Sequence, residues 1–454
     1  MGANSSADAD VPSSVDDENP TSKKIKNVFQ LSTGFTDGEA CSLMPFDVFQ
    51  TMFSLTECDQ LGRLLLAHIK VRLKNVKGFT QEEFVEIGEE FVNLSGQHMI
   101  NNYWDIFTSG KEEISKEEVL SFVDVMFTLA CVTCGGKQLA ADTVETVKQK
   151  YFNALVSNMI NSSNTVYKTE FCQWTQKHCA HLISGAHSWI TGVWSDLEWK
   201  RNLGQLTDFQ ADADIPCKSS GILHVPVFWL LSCALPHIYR LAVYDTDDQL
   251  SQSTSDRMRE MFHWLSLYDS NDHGTSINRF CHHVFEYSGP TVLMLEFEDD
   301  HVYCLAVDTP WRESSSRWGG MYTSLIQILP VFRIVMSGAD MIFMNLQLRG
   351  LPKGIQIGKD HKSLVLEINE ELTSVKKYGI PYKLIRLEVW GCGSDTARKA
   401  QLEQRHWEKR ETEKLRNQKL KIDDWKDSPD RQLLSWGGVE VTHSEALHPD
   451  DEKK

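Results

Sequence analysis

Cys131-Val132-Thr133-Cys134 is the first stretch whose residue types could do chemistry, since two thiols at this spacing exchange a disulfide or hold a metal. A redox pair opens a helix after a strand; this one closes an apolar helix and reads as core. His178-Cys179-Ala180-His181 offers further soft ligands, but no second regular pair of the kind that marks zinc sites accompanies it. Asp269, Asn271, His273 and Gly274 imitate the first half of a calcium loop, yet its twelfth position is Phe280, where a bidentate carboxylate is required. Gly350, Gly354 and Gly358 lack the spacing of a phosphate-binding loop, and no G-x-S-x-G elbow occurs. No nucleophile stands beside a base. These residues therefore single out no catalytic residue, no metal site and no cofactor, although absence of a motif does not by itself exclude catalysis.

One covalent modification is legible. Met1-Gly2-Ala3-Asn4-Ser5-Ser6 fits the myristoylation pattern, with Gly2 as the acceptor. A single myristoyl chain holds a protein to a membrane marginally and reversibly, so a second anchor is needed. Lys23-Lys24-Ile25-Lys26 is a weak candidate for it and a protein partner a better one.

Charge and cysteine usage narrow the partners. A net charge of -17 over 454 residues argues against nucleic acid and repels an anionic leaflet. Eleven cysteines without a repeating spacing, and no apolar secretory segment near the start, read as reduced thiols in the cytosol. The longest apolar run, Ile222 to Leu235, contains Pro226 and is too short to span a bilayer.

The elements that must position these residues fall into blocks. Residues 1–45 have the composition of a disordered, lipid-bearing N-terminus. Residues 46–194 carry apolar-periodic segments such as Leu61 to Leu73, Val119 to Cys131 and Thr143 to Ile160, and read as all-α. Within them Phe79-Thr80 with Glu83, Ile114-Ser115 with Glu118, and Val166-Tyr167 with Glu170 sit as positions 8, 9 and 12 of an EF-hand loop would. Counting back to the ligand positions gives Arg72, Lys74 and Val76, then Phe107, Ser109 and Lys111, then Met159, Asn161 and Ser163. Those side chains offer few oxygens. The expectation is a degenerate EF-hand-like domain without Ca²⁺, against a plain reading as ordinary capped helices.

Residues 195–218 read as an acidic linker and 219–393 as an α+β domain on a two-sheet β-sandwich. Thr291 to Glu298 and Val302 to Asp308 form a hairpin with apolar residues on both faces, as in a strand covered on two sides. A helix is expected over Asp256 to Leu267, with strands around Leu241 to Tyr244, Val331 to Met336, Met341 to Leu348, Ser363 to Ile368 and Leu384 to Trp390. Residues 394–427 carry ten Lys/Arg and eight Asp/Glu with no Gly or Pro, a long helix. Its sparse seam, Ala400, Trp407, Leu415 and Ile422 with Trp425 beyond, suits a partner, and residues 428–454 form a tail.

The Gly289-Pro290-Thr291 turn, the hairpin, Thr309-Pro310-Trp311 and the closing Leu387-Glu388-Val389-Trp390-Gly391 resemble a TLDc domain, from about Ser219 to Gly391. Together with the Gly2 pattern, the helical N-terminal region and Trp425-Lys426-Asp427-Ser428-Pro429, the chain resembles the myristoylated, MTOR-associated, EAK-type subgroup. That resemblance implies a multidomain, non-enzymatic, membrane-tethered adaptor that binds the cytosolic sector of the V-ATPase and supports MTOR signalling at the lysosome. It also implies a link to oxidative-stress resistance, for which the competing reading is a protective protein with redox-active cysteines such as Cys131 and Cys134.

Overall fold

The computed structural model describes residues 19–34, 43–55, 58–73, 77–135, 144–197, 221–239, 264–393, 395–417, 433, 436 and 437. The helical region is a series of helix, short strand, helix: α1 (Pro20–Ser32), β1 (Met44–Pro45), α2 (Phe46–Phe53), α3 (Leu61–Lys70), β2 (Gly78–Phe79), α4 (Gln81–Val92), α5 (Gly96–Thr108), β3 (Glu113–Ser115), α6 (Lys116–Gly135), α7 (Glu145–Val156), β4 (Thr165–Tyr167), α8 (Lys168–His178) and α9 (Ser184–Ser195). The strands pair antiparallel in twos, Met44 opposite Phe79 and Ile114 opposite Val166. Each anticipated Thr or Ser with its Glu starts a helix where expected. Thr80 accepts from Glu83 N at 3.2 Å while Glu83 Oε2 accepts from Thr80 N at 3.0 Å, and Glu118 repeats this at Ser115.

One expectation changes here. The stretch read as disordered, residues 1–45, holds α1, whose Ile25, Val28 and Phe29 are buried. Their spacing marks one helix face, and Asn19 with Pro20 supplies its start, a signal outweighed by the polar composition around it. The core of this half is Trp194 of α9, ringed by Phe49, Phe53, Phe84 and Phe91. Gly88 lets α4 approach it: a Cβ there would lie 2.7 Å from the Trp194 ring.

The second half follows α10 (Val225–Ala234) with β5 (Leu265–Asp269), α11 (Ser270–His273), α12 (Ile277–Val284), β6 (Thr291–Phe297), β7 (His301–Val307), β8 (Ser324–Leu329), β9 (Arg333–Ser337), β10 (Ile342–Asn345), β11 (Gly354–Gly358), β12 (Leu364–Ile368), β13 (Ser374–Lys377) and β14 (Ile380–Gly391). These strands form one antiparallel sheet in the order β10-β11-β12-β13-β14-β6-β7-β8-β9, with β5 also on β14. The strands expected to build a sandwich are joined by hydrogen bonds into one curled sheet. β14 is long enough to pair β13 with its first part, Tyr382 opposite Val375, and β6 with its last, Val389 opposite Leu293, so hydrogen bonding never breaks between the halves. The helix expected over Asp256 to Leu267 ends as strand instead, because Leu265 to Asp269 pairs with β14; residues 240–263 lie outside the described residues.

Alternation along β6 and β7 explains both apolar faces. Leu293, Leu295, Phe297, Tyr303 and Leu305 join Ile355, Leu366 and Val375 inside the curl. Val292, Met294, Val302, Cys304 and Ala306 turn outward into one core with Phe127, Leu155 and Trp229 of the helical half. The β8 to β9 corner completes the joint: Phe332 N donates to Ala154 O at 2.9 Å, Asn158 Nδ2 to Phe332 O at 3.2 Å, and Ile334 N to His178 Nδ1 at 3.1 Å. The helical and sheet regions are therefore one body rather than two linked domains. The expected linker, residues 195–218, lies almost wholly outside the described residues.

A separate compact unit begins at Lys399, within α13 (Asp395–Asn417). No described helix is long and apolar enough to cross a membrane.

Candidate docking surfaces

Charge alternation holds α13 as a helix, with Lys414 Nζ 2.6 Å from Glu411 Oε1 and Gln404 bonded to Glu408 one turn on. Ala400 is exposed and Trp407 is 58% exposed. Leu415 lies on the same helix, whereas Ile422, Trp425 and Gly2 fall outside the described residues. The indole of Trp407 is thus a large apolar ring held in water on a charged helix, the residue type that anchors protein interfaces.

A second exposed apolar patch, missed by sequence reasoning, is built by Asp308. Its carboxylate accepts from Gly320 N at 2.7 Å, Tyr322 N at 2.9 Å and Thr323 Oγ1 at 2.7 Å. That latch closes the serine-rich loop that follows Thr309-Pro310-Trp311. Trp311 donates to Thr291 Oγ1 at 2.7 Å and packs edge-on against Trp318, while Arg317 Nη1 donates to Met341 O and Gly358 O. So fixed, the loop presents Met321, 75% exposed, beside Tyr322. The only trace in the sequence is an Asp followed at a distance by Gly319-Gly320, because two of the three partners are backbone groups.

The sheet also holds a buried ion network. Arg386 reaches Asp269 Oδ2 at 2.5 Å and Glu388 Oε1 at 2.8 Å, and Glu388 also accepts from Ile222 N at 2.8 Å and Trp390 Nε1 at 3.2 Å. Burial pushes the Glu388 carboxyl upward despite these donors. A raised carboxyl is the mark of a general acid, but Glu388 is 1% exposed with both oxygens engaged, which suits a tie between β14, β5 and the start of α10.

The residues considered for chemistry are placed as structure. Cys131 and Cys134 are buried on α6, and no disulfide joins the described cysteines. Burial pushes Cys179, Cys304 and Cys392 well up, and raises half-buried Cys281 to about 11. A thiol reacts as thiolate, so burial disfavours the reactive form of these four at neutral pH. His178 spends Nδ1 on Ile334 N, and burial followed by Lys177 and Arg333 lowers it to about 4. Asn161, a ligand position in the calcium count, accepts from Ser163 N and Thr165 N of its own loop. Asp269 caps Asn271 N at 2.9 Å and donates its own N–H to His273 Nδ1 at 3.0 Å, closing a turn. Among the described residues no group of three His, Cys, Asp or Glu is placed to hold a metal ion.

No curated protein matches the chain. The match is to a family model, that of the TLDc domain, over residues 240–393. That span takes in the curled sheet from β5 to β14, the Asp308 latch and the buried Arg386 network, and residues 240–393 are a TLDc domain.

Proposed function

We propose that the chain is a non-enzymatic, membrane-tethered adaptor that binds the cytosolic sector of the V-ATPase and supports MTOR signalling on the lysosomal surface. The observation that carries this reading is Trp407, 58% exposed on a charged helix in a compact unit of its own. The TLDc domain of the same chain, residues 240–393, is associated with regulatory roles and oxidative-stress resistance. The paired helix, strand, helix units support a degenerate EF-hand-like origin for the N-terminal half. A myristoyl group on Gly2 supplies a weak tether, and weak anchors on one molecule add through effective concentration.

Affinity purification of the full chain from cells in gentle detergent, with Trp407→Ala alongside, tests the partner. V-ATPase subunits should co-purify and fall about tenfold in the variant, as for an interface hot spot; equal recovery moves the contact off α13, and no recovery sinks the adaptor reading. Gly2→Ala should shift the protein from membrane to cytosolic fractions, and unchanged fractionation removes the lipid tether.

A further inference from the structure

At its rim the inner face of the curled sheet carries two cations, half-buried Lys377 and exposed Arg333, although the protein as a whole is strongly acidic. On one half a row of directly opposed residues runs from Tyr303 of β7 to Gln327 of β8 to Arg333 of β9. Opposed residues share a face, and Tyr303 belongs to the core inside the curl, so Arg333 stands at the outer end of that face. On the other half Lys377 of β13 is opposite Leu366, and Tyr382 of β14 opposite Val375; Leu366 and Val375 belong to the same core. His301 closes the gap. It stacks on Phe297, lies 5.2 Å from the Tyr382 ring, and its Nε2 is 2.7 Å from Lys377 Nζ. An ammonium only donates, so Nε2 is the acceptor and Nδ1–H donates to Glu298 O at 2.9 Å.

Three features of this rim have no internal explanation. Neither Lys377 nor Arg333 takes part in an ion pair among the described residues; Arg333 is bonded to the neutral Gln327, and the neighbouring carboxylate of Glu298 is engaged by Lys383 N. Burial, then the charge of Arg333, holds the Lys377 amine below the usual lysine value. The Tyr303 hydroxyl is completely buried with no hydrogen-bond partner, and the charged and phenolic groups acting on it are Tyr378, Arg333 and Tyr382 of this same rim. An unpartnered buried hydroxyl costs about 1–3 kcal/mol; phenylalanine would fill the space without that cost.

We propose that Lys377, Arg333 and the Tyr303 hydroxyl form a binding site for the phosphoryl group of a small dissolved phosphate compound. Two cations match its double negative charge, where a carboxylate would leave one uncompensated, and its several oxygens accept from ammonium, guanidinium and phenol together. The flexible Lys377 stem is the moving part: its ammonium turns from His301 to the incoming oxygen, which brings the anion over the hydroxyl. The depth of that hydroxyl favours a free phosphate compound over one fixed to a large surface. Nothing in this site depends on which partner the exposed helix engages.

The test is titration of the full chain with inorganic phosphate, with pyrophosphate and, as the carboxylate control, with acetate, read by melting temperature and by the ring nitrogen resonances of His301. Phosphate or pyrophosphate should give a saturable rise in melting temperature and move the His301 Nε2 resonance over the same concentrations. Lys377→Met and Tyr303→Phe should each weaken binding about tenfold, the worth of one charge-assisted hydrogen bond. Tyr303→Phe keeps the ring in the core, so its melting temperature without phosphate should match or exceed the parent's, which separates lost binding from lost folding. Acetate acting as strongly as phosphate, Tyr303→Phe binding as tightly as the parent, or no response to any of the three overturns the proposal.

Discussion

At the scale of single residues the TLDc half depends on charges that have left water. Arg386, between Asp269 and Glu388, is 13% exposed and faces two carboxylates. Removing it leaves both without a counter-charge in a region of low polarity, which costs more than the pair ever contributed. Arg386→Met should therefore lose about 3–5 kcal/mol in denaturant unfolding at neutral pH, far more than breaking the exposed pair Arg72 with Glu90, which is roughly half in water. A loss under about 1 kcal/mol would show that water reaches the network. None of this was visible in the order of residues. Glu388 and Arg386 sit two apart on one strand; only the approach of Asp269 and Ile222, more than a hundred positions away in the chain, makes them interior. The rim of Lys377, Arg333 and Tyr303 is hidden for the same reason.

At the scale of elements, what could be read was whatever repeats locally. The hairpin of β6 and β7 declared itself through apolar residues on both faces, and α4, α6 and α8 through a polar starter with Glu three places on. β11 did not, since Gly354-Ile355-Gln356-Ile357-Gly358 is bounded by glycines and has only two apolar side chains to show a period. Nor did β5, whose Leu265 continues the helical spacing of Met258, Met261 and Phe262 and becomes strand by pairing with β14. The joint between α8 and β9 yields a pH prediction. His178 accepts from Ile334 N only while Nδ1 is unprotonated, and its pKa falls from 6.5 to about 4 on folding. A depressed folded value means the unfolded chain takes up the proton first, so stability is full above pH 6.5 and drains as pH falls towards 4. His178→Asn keeps an acceptor near the Nδ1 position but does not titrate. Its melting temperature should fall less steeply across that range than the parent's. Because burial also lowers His68, His187 and His224, the informative quantity is the difference in slope, and equal slopes would place the acid sensitivity elsewhere.

At the scale of the whole molecule, the outer face of β6, β7 and β8 decides how the chain folds. Val292, Met294, Val302, Cys304, Ala306, Ile326 and Ile328 lie in one core with the helical half. Each larger side chain among them gains about 1.5–3 kcal/mol by burial, so the joint has the strength of a domain interior. The family model begins at residue 240, and a fragment cut to such a boundary would carry that face into water. Patches of that size on a monomer are sites of association. A fragment of residues 219–393 should accordingly bind a hydrophobic dye or elute as aggregate, whereas the full chain should unfold its helices and its sheet in one transition followed by circular dichroism and by tryptophan fluorescence, since Trp194 and Trp229 report the helical half and Trp311 and Trp318 the curl. A soluble monomeric fragment as heat-stable as the parent, or two separated transitions, would mean that the helical half is an accessory to an autonomous TLDc fold. The single transition would mean that a mutation in either half reaches the surfaces presented by the other through stability alone, so that loss of partner binding in any variant needs a melting curve beside it before the altered residue is assigned to an interface.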